Sequence, residues 1–199
     1  MREVELKSVV DDLAARRMQV ERAGGHLDFA GALTDVRYDT AAGDLVRRDH
    51  VLRLRVYGGT ELTEAHLDWK GETRYEGGYK VREEISTSIG DPEALATMLR
   101  SLGFQIVREI EREITQYTLH GATVRFEHYP RMDDLVEVEG TPEAIEKAID
   151  AMGLPRGGFS TGRLTNFIVE YESRTGRKAA ISGRELSGDY PYGEASAQV

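Results

Sequence analysis

Six stretches of the sequence alternate charged with apolar side chains. Glu3, Glu5 and Lys7 alternate with Val4 and Leu6. Arg53 and Arg55 stand between Leu52, Leu54 and Val56, and His66, Asp68 and Lys70 flank Leu67 and Trp69. Lys80, Arg82 and Glu84 oppose Val81 and Ile85. Arg125 and Glu127 oppose Val124 and Phe126, and Glu137 and Glu139 oppose Val136 and Val138. Successive side chains of a strand point to opposite faces, so each set lies on one side of its strand. Carboxylates are hard ligands for divalent cations, and Lys and Arg hold phosphate oxygens. A triphosphate binds as a metal chelate, so it needs both signs in one site.

The elements that must position these residues are legible from period and punctuation. Period-2 runs predict eight strands, at about 2–9, 34–40, 51–57, 64–71, 78–88, 108–119, 122–129 and 134–139. Gly58-Gly59 and Gly77-Gly78 mark turns. Helices are expected at 11–23 (Asp11 or Asp12 as cap), 92–102 (Asp91 cap, Pro92 at N1, Gly103 stop), 142–152 (Thr141 cap, Pro142 at N1, Gly153 stop) and about 162–174. Cap, N1 proline and terminal glycine together give a specific start and stop. A mostly meandering set of eight strands suggests an antiparallel barrel or sandwich in an α+β chain. Residues 176–199 lack periodicity and are expected to be a loosely ordered tail, docked through Tyr190 and Tyr192, after a domain spanning 1–175.

Two arrangements fit the charged faces. The charges can face water around a small apolar core. Alternatively, the sheet closes with charges inside and the helices cover its apolar exterior. Amphipathic helices need an apolar surface to pack on, which favours the second arrangement.

Composition sets the outer bounds. The 199 residues carry 35 acids and 26 bases, a formal net charge of −9, which argues against nucleic acid as a partner. With no cysteine, disulfides and thiolate metal sites are excluded. The opening MREVELK has no apolar run and no stretch of 18 apolar residues follows, so no signal peptide, no membrane span and a cytoplasmic location are expected. His26, His50, His66, His120 and His128 are scattered without helical metal-ligand spacing and read as surface or supporting residues.

The ordered series of motifs resembles the CYTH group, also known as triphosphate tunnel metalloenzymes, which includes class IV adenylyl cyclases and thiamine triphosphatases. The series runs Glu3-Val4-Glu5-Leu6-Lys7, Tyr38-Asp39-Thr40, Leu52-Arg53-Leu54-Arg55, Leu67-Asp68-Trp69-Lys70-Gly71, Lys80-Val81-Arg82-Glu83-Glu84, Arg112, Arg125 with Glu127, and Glu137-Val138-Glu139. The match covers about residues 1–140 well and the last helix loosely. It implies an eight-stranded antiparallel closed β-tunnel with a charged lumen and helices outside. By position, it implies that Glu3, Glu5, Glu137 and Glu139 bind Mg²⁺ or Mn²⁺, with Glu127 and Glu84 as further tunnel acids. Lys7, Arg53, Arg55, Lys70, Arg82, Arg112 and Arg125 match the phosphate-binding and catalytic set, and Lys80 joins them on the phosphate. Ile110 stands where many members carry Lys, with Arg108 as a substitute from a shifted register. The Ser-Tyr pair that often opens the last helix is replaced by Leu164-Thr165-Asn166-Phe167, so no role is carried onto it.

The implied activity is metal-dependent processing of a small-molecule triphosphate, with hydrolysis of inorganic triphosphate, thiamine triphosphate or a nucleoside triphosphate as the leading reading. The alternative is cyclisation of ATP to cyclic AMP and diphosphate, and the Met-Arg-Glu-Val-Glu-Leu-Lys start and Lys-Val-Arg-Glu-Glu run look closer to that cyclase branch. A non-catalytic polyphosphate- or nucleotide-binding module is a third class, disfavoured because pure anion binding needs no acidic patch. A carrier of an apolar ligand would need apolar side chains where the lumen charges stand. Trp69 and Tyr79 are candidate stacking partners for a base, although the parity of Trp69 sets it opposite the charges. A monomer or homodimer is expected.

Overall fold

In the computed structural model, alternation builds the walls and helix caps set the ends. The structure describes residues 2–58 and 63–192. Among these residues nine strands form: β1 (Arg2–Val9), β2 (His26–Thr40), β3 (Val51–Gly58), β4 (Thr63–Lys70), β5 (Arg74–Glu76), β6 (Tyr79–Ser88), β7 (Phe104–Leu119), β8 (Ala122–His128) and β9 (Leu135–Glu139). Eight of them close an antiparallel ring in the order β1-β9-β8-β7-β2-β3-β4-β6, with β6 returning to β1. The short β5 pairs with Tyr79–Val81, so β5 and β4 share successive parts of one edge of β6.

The register sets the charged parity around the lumen. Glu3 faces Arg82 and Glu5 faces Lys80 across β1 and β6, Lys7 faces Glu137, and Arg125 faces Glu137. Asp35 faces Arg55, Arg53 faces Asp68, and Lys70 faces Glu84. The opposite parity is apolar and points outward. Leu6, Val124, Val136 and Val138 are fully buried there beneath Ile145, Ile149 and Met152 of a helix. Charges inside with helices on an apolar exterior is therefore the arrangement adopted.

The helices lie close to their expected spans: α1 (Leu13–Arg22), α2 (Pro92–Ser101), α3 (Pro142–Met152) and α4 (Leu164–Thr175). The carboxylates of Asp12 and Asp91 accept from the Ala15 and Ala94 amides, and the Thr141 hydroxyl accepts from Ala144. Each such cap contributes about 1 kcal/mol. Helices α1 and α3 cover β1, β8 and β9, while α2 packs Leu95 and Leu99 against Tyr38 and Leu54. At one end of the lumen α4 sets Phe167 against Ile110, Tyr129 and Leu135. Among the described residues no helix is long and apolar enough to cross a membrane.

Two expectations change. β2 begins at His26 rather than 34, because its first half, with Gly31 and two alanines, lacks alternation yet pairs along β7. A Cβ at Gly31 would stand 2.5 Å from the Gly58 carbonyl oxygen, so glycine permits the approach of β2 and β3 there. The remainder of the Gly58-Gly59 turn lies outside the described residues, while Gly77-Gly78 forms the turn between β5 and β6. The segment after Gly176, expected to be loosely ordered, is packed from 177 to 192. Ala180 bridges Arg131, the Ile181 carbonyl accepts from Glu111, and a short helix α5 (Gly183–Leu186) follows. Ala179-Ala180-Ile181 is too short to show a period, yet its three residues are almost wholly buried. The Tyr190 hydroxyl does dock this segment, donating to Ala179, whereas residues 193–199 lie outside the described residues.

Candidate functional site

The lumen is lined by ten basic side chains, Lys7, Arg37, Arg53, Arg55, Lys70, Lys80, Arg82, Arg112, Arg125 and Arg163, against five carboxylates, Glu5, Asp35, Asp49, Glu127 and Glu137. Glu3, Asp68 and Glu84 reach these cations from the sides and offset part of the excess. A chain of net charge −9 thus concentrates positive charge in one enclosed place. Low-dielectric walls strengthen such a field and draw in anions.

Asp35 is the hub of the central cluster. It is 1% exposed, and its carboxylate accepts from Arg55 Nε at 2.8 Å, Arg55 Nη2 at 3.1 Å and Arg112 Nη2 at 2.9 Å, with Arg53 at 3.6 Å. Burial opposes its charge, but Arg55, Arg53 and Arg112 together outweigh that and hold its pKa well below the usual carboxylate range. Arg53 also meets Asp68 at 2.8 Å and Glu84 at 3.4 Å. Beyond Asp35, Glu127 accepts from Arg112 at 3.0 Å, Arg125 at 3.3 Å and the Tyr129 hydroxyl at 2.7 Å. Among the described residues the Nη1 group of Arg112 is buried with no acceptor. An unsatisfied buried guanidinium N–H is costly unless a ligand oxygen meets it. Arg37 carries a related signature: burial, then the nearby Arg53, lower its pKa to about 9.

The acidic end is organised differently. Lys7 and Arg125 both pair with Glu137, Lys70 with Glu3, and Lys80 with Glu5 at 2.5 Å. Burial disfavours charge on Lys7, yet Glu137, Glu127 and Glu5 keep its pKa above the usual range. Glu139 is the exception. Burial, then the negative Glu3 and Glu137, push its pKa up to about 7, more than Arg125 and Lys70 offset. Among the described residues no three carboxylates are gathered as a preformed metal site. Their chemistry nevertheless fits a hard divalent ion, because oxygen donors abound and Glu139 sits in uncompensated negative potential. Glu3, Glu84 and Glu139 share an open hollow at this end, while Glu127 is committed to arginines and a phenol.

All of the expected phosphate-binding residues line the lumen, and so do Glu5, Glu127 and Glu137. Arg108 does not: it lines a separate cleft by α4, so it is no substitute for a lysine at Ile110, which is buried against Phe167. Trp69 stands on the outer face, edge-on to His50 with centroids 5.0 Å apart, and the Tyr79 hydroxyl donates to Glu146 of α3 at 2.6 Å. Neither is aimed at the lumen. His50, by contrast, lines it.

Asp35, Arg37, Asp49, Tyr129 and Arg163 also line the lumen, although no motif of the sequence points to them. The alternation Asp35-Val36-Arg37-Tyr38 carried a signal for two of them. Asp39 proves to be a loop anchor, its carboxylate accepting from the Leu45 and Val46 amides at 2.9 Å, which sets Val46–His50 against the lumen. Asp49 then ties that loop to the start of α4, accepting from Thr73 N at 2.8 Å and Arg163 at 2.7 Å.

A closed antiparallel β-tunnel whose lumen holds a cationic clamp and an acidic end defines the class. The CYTH domain matches residues 1–151, and the chain belongs to the CYTH family. Similar folds occur in the PH1819 protein of Pyrococcus horikoshii (TM-score 0.70, 23% identity, 84% of this chain and 98% of that one). A candidate adenylate cyclase of Vibrio parahaemolyticus gives a TM-score of 0.71 at 16% identity, over 84% of this chain and 97% of that one. A candidate adenylyl cyclase of Hippeastrum, described as having a dominant triphosphatase activity, gives 0.60 at 19% identity, over 87% and 95%. No curated protein sequence matches significantly.

Proposed function

We propose that this chain is a divalent-metal-dependent triphosphatase whose leading substrate is inorganic triphosphate, cleaved by water to diphosphate and orthophosphate. The carrying observation, among the described residues, is the excess of basic side chains in the lumen, ten against five lining and three flanking carboxylates, together with the Arg112 Nη1 group that meets no acceptor there. Arginines would clamp phosphate oxygens in fork geometry and lysines as point charges.

The free space between the side chains is about 90 Å³, room for several waters. A triphosphate fits as Lys7, Lys70 and Lys80 turn from their carboxylates to phosphate oxygens. That exchange releases Glu3 and Glu5, and with Arg125 also drawn to phosphate it releases Glu137; these three and Glu139 would hold Mg²⁺ or Mn²⁺. The ion, when bound, neutralises phosphate charge and lowers the barrier to displacement. Arg53, Arg55, Arg112 and Arg125 hold the chain of phosphates in line and stabilise charge on the departing oxygen.

Among the described residues the charged lining of the lumen is mostly cationic, with His50 and Tyr129 as the aromatic rings there, and hydrolysis of inorganic triphosphate asks only for the phosphate contacts these cations would make. The test is turnover of tripolyphosphate, thiamine triphosphate and ATP with Mg²⁺ or Mn²⁺, with products separated. Orthophosphate release from tripolyphosphate, lost on chelation, is expected. Cyclic AMP as the main product from ATP would replace this reading with the cyclase, and absence of any turnover would leave a binding module.

A further inference from the structure

Arg108 is a buried cation that the tunnel does not use. It is 8% exposed and, among the described residues, makes no ion pair and no side-chain hydrogen bond. Its strand partner across β2 is Arg37, which lines the lumen. The pairing register of β2 and β7 shifts just after this pair. Arg108 lines a separate cleft of about 400 Å³ between α4 and the C-terminal segment.

Its apolar and aromatic walls are Ile168, Val169, Ile181, Tyr190 and Tyr192, and Lys178 and two acids lie on its polar side. Tyr190 is held in place: its hydroxyl donates to Ala179 at 2.9 Å and accepts from Arg131 at 3.0 Å, and Lys178 Nζ lies 3.7 Å from its ring centroid. The two acids of the cleft are occupied by backbone amides, Glu185 accepting from Ile181 at 2.8 Å and Glu172 from Ala179 at 2.9 Å. Burial disfavours charge on Arg108, Glu185 offsets only part of that cost without touching the guanidinium, and a bound anion relieves the rest.

We propose that this cleft is a binding site for a small organic monocarboxylate, with the carboxylate on Arg108 and an aromatic or branched aliphatic body between α4 and the two tyrosines. A carboxylate matches one guanidinium fork. A phosphate dianion would bring a second charge into a cleft whose other cation, Lys178, sits over the Tyr190 ring and whose walls include Glu172 and Glu185. The volume lies in the range of small-molecule sites, and the apolar walls demand a body as well as a charge.

The test uses the full chain with benzoate and 4-methylpentanoate as probes, benzamide as the neutral control, and calorimetry backed by NMR shifts. At least one acid should bind saturably, with benzamide at least tenfold weaker than benzoate where benzoate is the binder. Arg108→Gln should weaken binding at least tenfold, and metal-free tripolyphosphate should not displace the ligand. Val169→Trp, which fills the cleft from its 63% exposed rim, should also abolish binding, and it keeps the test decisive if Arg108→Gln misfolds. Failure of both acids to bind, equal binding to both variants, or displacement by tripolyphosphate would overturn the proposal.

Discussion

Replacing Glu139 by Gln should stabilise the metal-free protein at alkaline pH. Glu139 ordinarily titrates near 4.5, and in the fold its pKa rises to about 7 through burial and the charges of Glu3 and Glu137. Between those values the folded state holds a proton the unfolded chain has lost. Stability therefore falls as pH rises through that window, and the penalty is fully present above pH 7 and absent below about 4.5. At about 1.4 kcal/mol per pKa unit the shift corresponds to roughly 3 kcal/mol. Relaxation of the neighbouring carboxylates reduces this to about 2 kcal/mol, or roughly 4–8 °C in Tm for a domain of this size. The assay is thermal unfolding of wild type and Glu139→Gln in chelator at pH 5 and pH 8. The variant should gain at pH 8, and the gain should shrink at pH 5. Mn²⁺ at pH 8 should then raise the wild-type Tm more than that of the variant. A variant no more stable than wild type at pH 8 in chelator would refute the claim that Glu139 sits in uncompensated negative potential.

The exchange of lysine partners makes Lys70→Met and Lys80→Met informative. Each frees a carboxylate, so Mn²⁺ affinity without triphosphate should rise roughly tenfold or more, read by electron paramagnetic resonance of free Mn²⁺; no change would remove the exchange. Glu137→Gln should lower tripolyphosphate turnover by about a hundredfold or more with the protein still folded, and retention of activity would exclude Glu137 from the site. Asp35→Asn leaves Arg53, Arg55 and Arg112 uncompensated and should cost about 3–5 kcal/mol of stability in urea unfolding. Because the Asp35 pKa is depressed, its stabilisation is present above about pH 3.8 and is lost as pH falls through its lower folded value, so the Asn variant should have a shallower acid transition.

Much of this architecture was written in local patterns. The alternation in Glu3–Lys7 and Glu137–Glu139 gave strand, face and charge at once, because period 2 couples all three. Proline at N1 and a capping oxygen fixed α2 and α3 for equally local reasons. Asp35 was harder to see. Its importance comes from three arginines on β3 and β7 that reach it only through register, and no spacing within β2 contains that information. The first half of β2 was hidden because its partner β7 and the close approach at Gly31, rather than its own alternation, make it a strand. Residues 177–192 were missed for a similar reason: Ile181 is buried by Tyr129 and Phe167, which lie far away in sequence.

These observations also explain how a barrel can tolerate so much buried charge. Ion pairs taken out of water contribute little net stability, because desolvation offsets attraction. The fold must therefore be held mainly from outside, by the apolar layer of Leu6, Val124, Phe126, Val136 and Val138 under α1 and α3. That layer is complete without the lumen, which leaves the inner face free to carry charges arranged for a ligand rather than for the fold. The consequence is an asymmetry between paired and unpaired changes. Removing Asp35 alone strands three arginines, whereas removing Lys80 and Glu5 together deletes a matched pair. Lys80→Met with Glu5→Gln should thus unfold within about 1 kcal/mol of wild type while losing tripolyphosphate turnover. A double variant that lost several kcal/mol would show that the lumen pairs, and not the outer layer, hold the barrel closed.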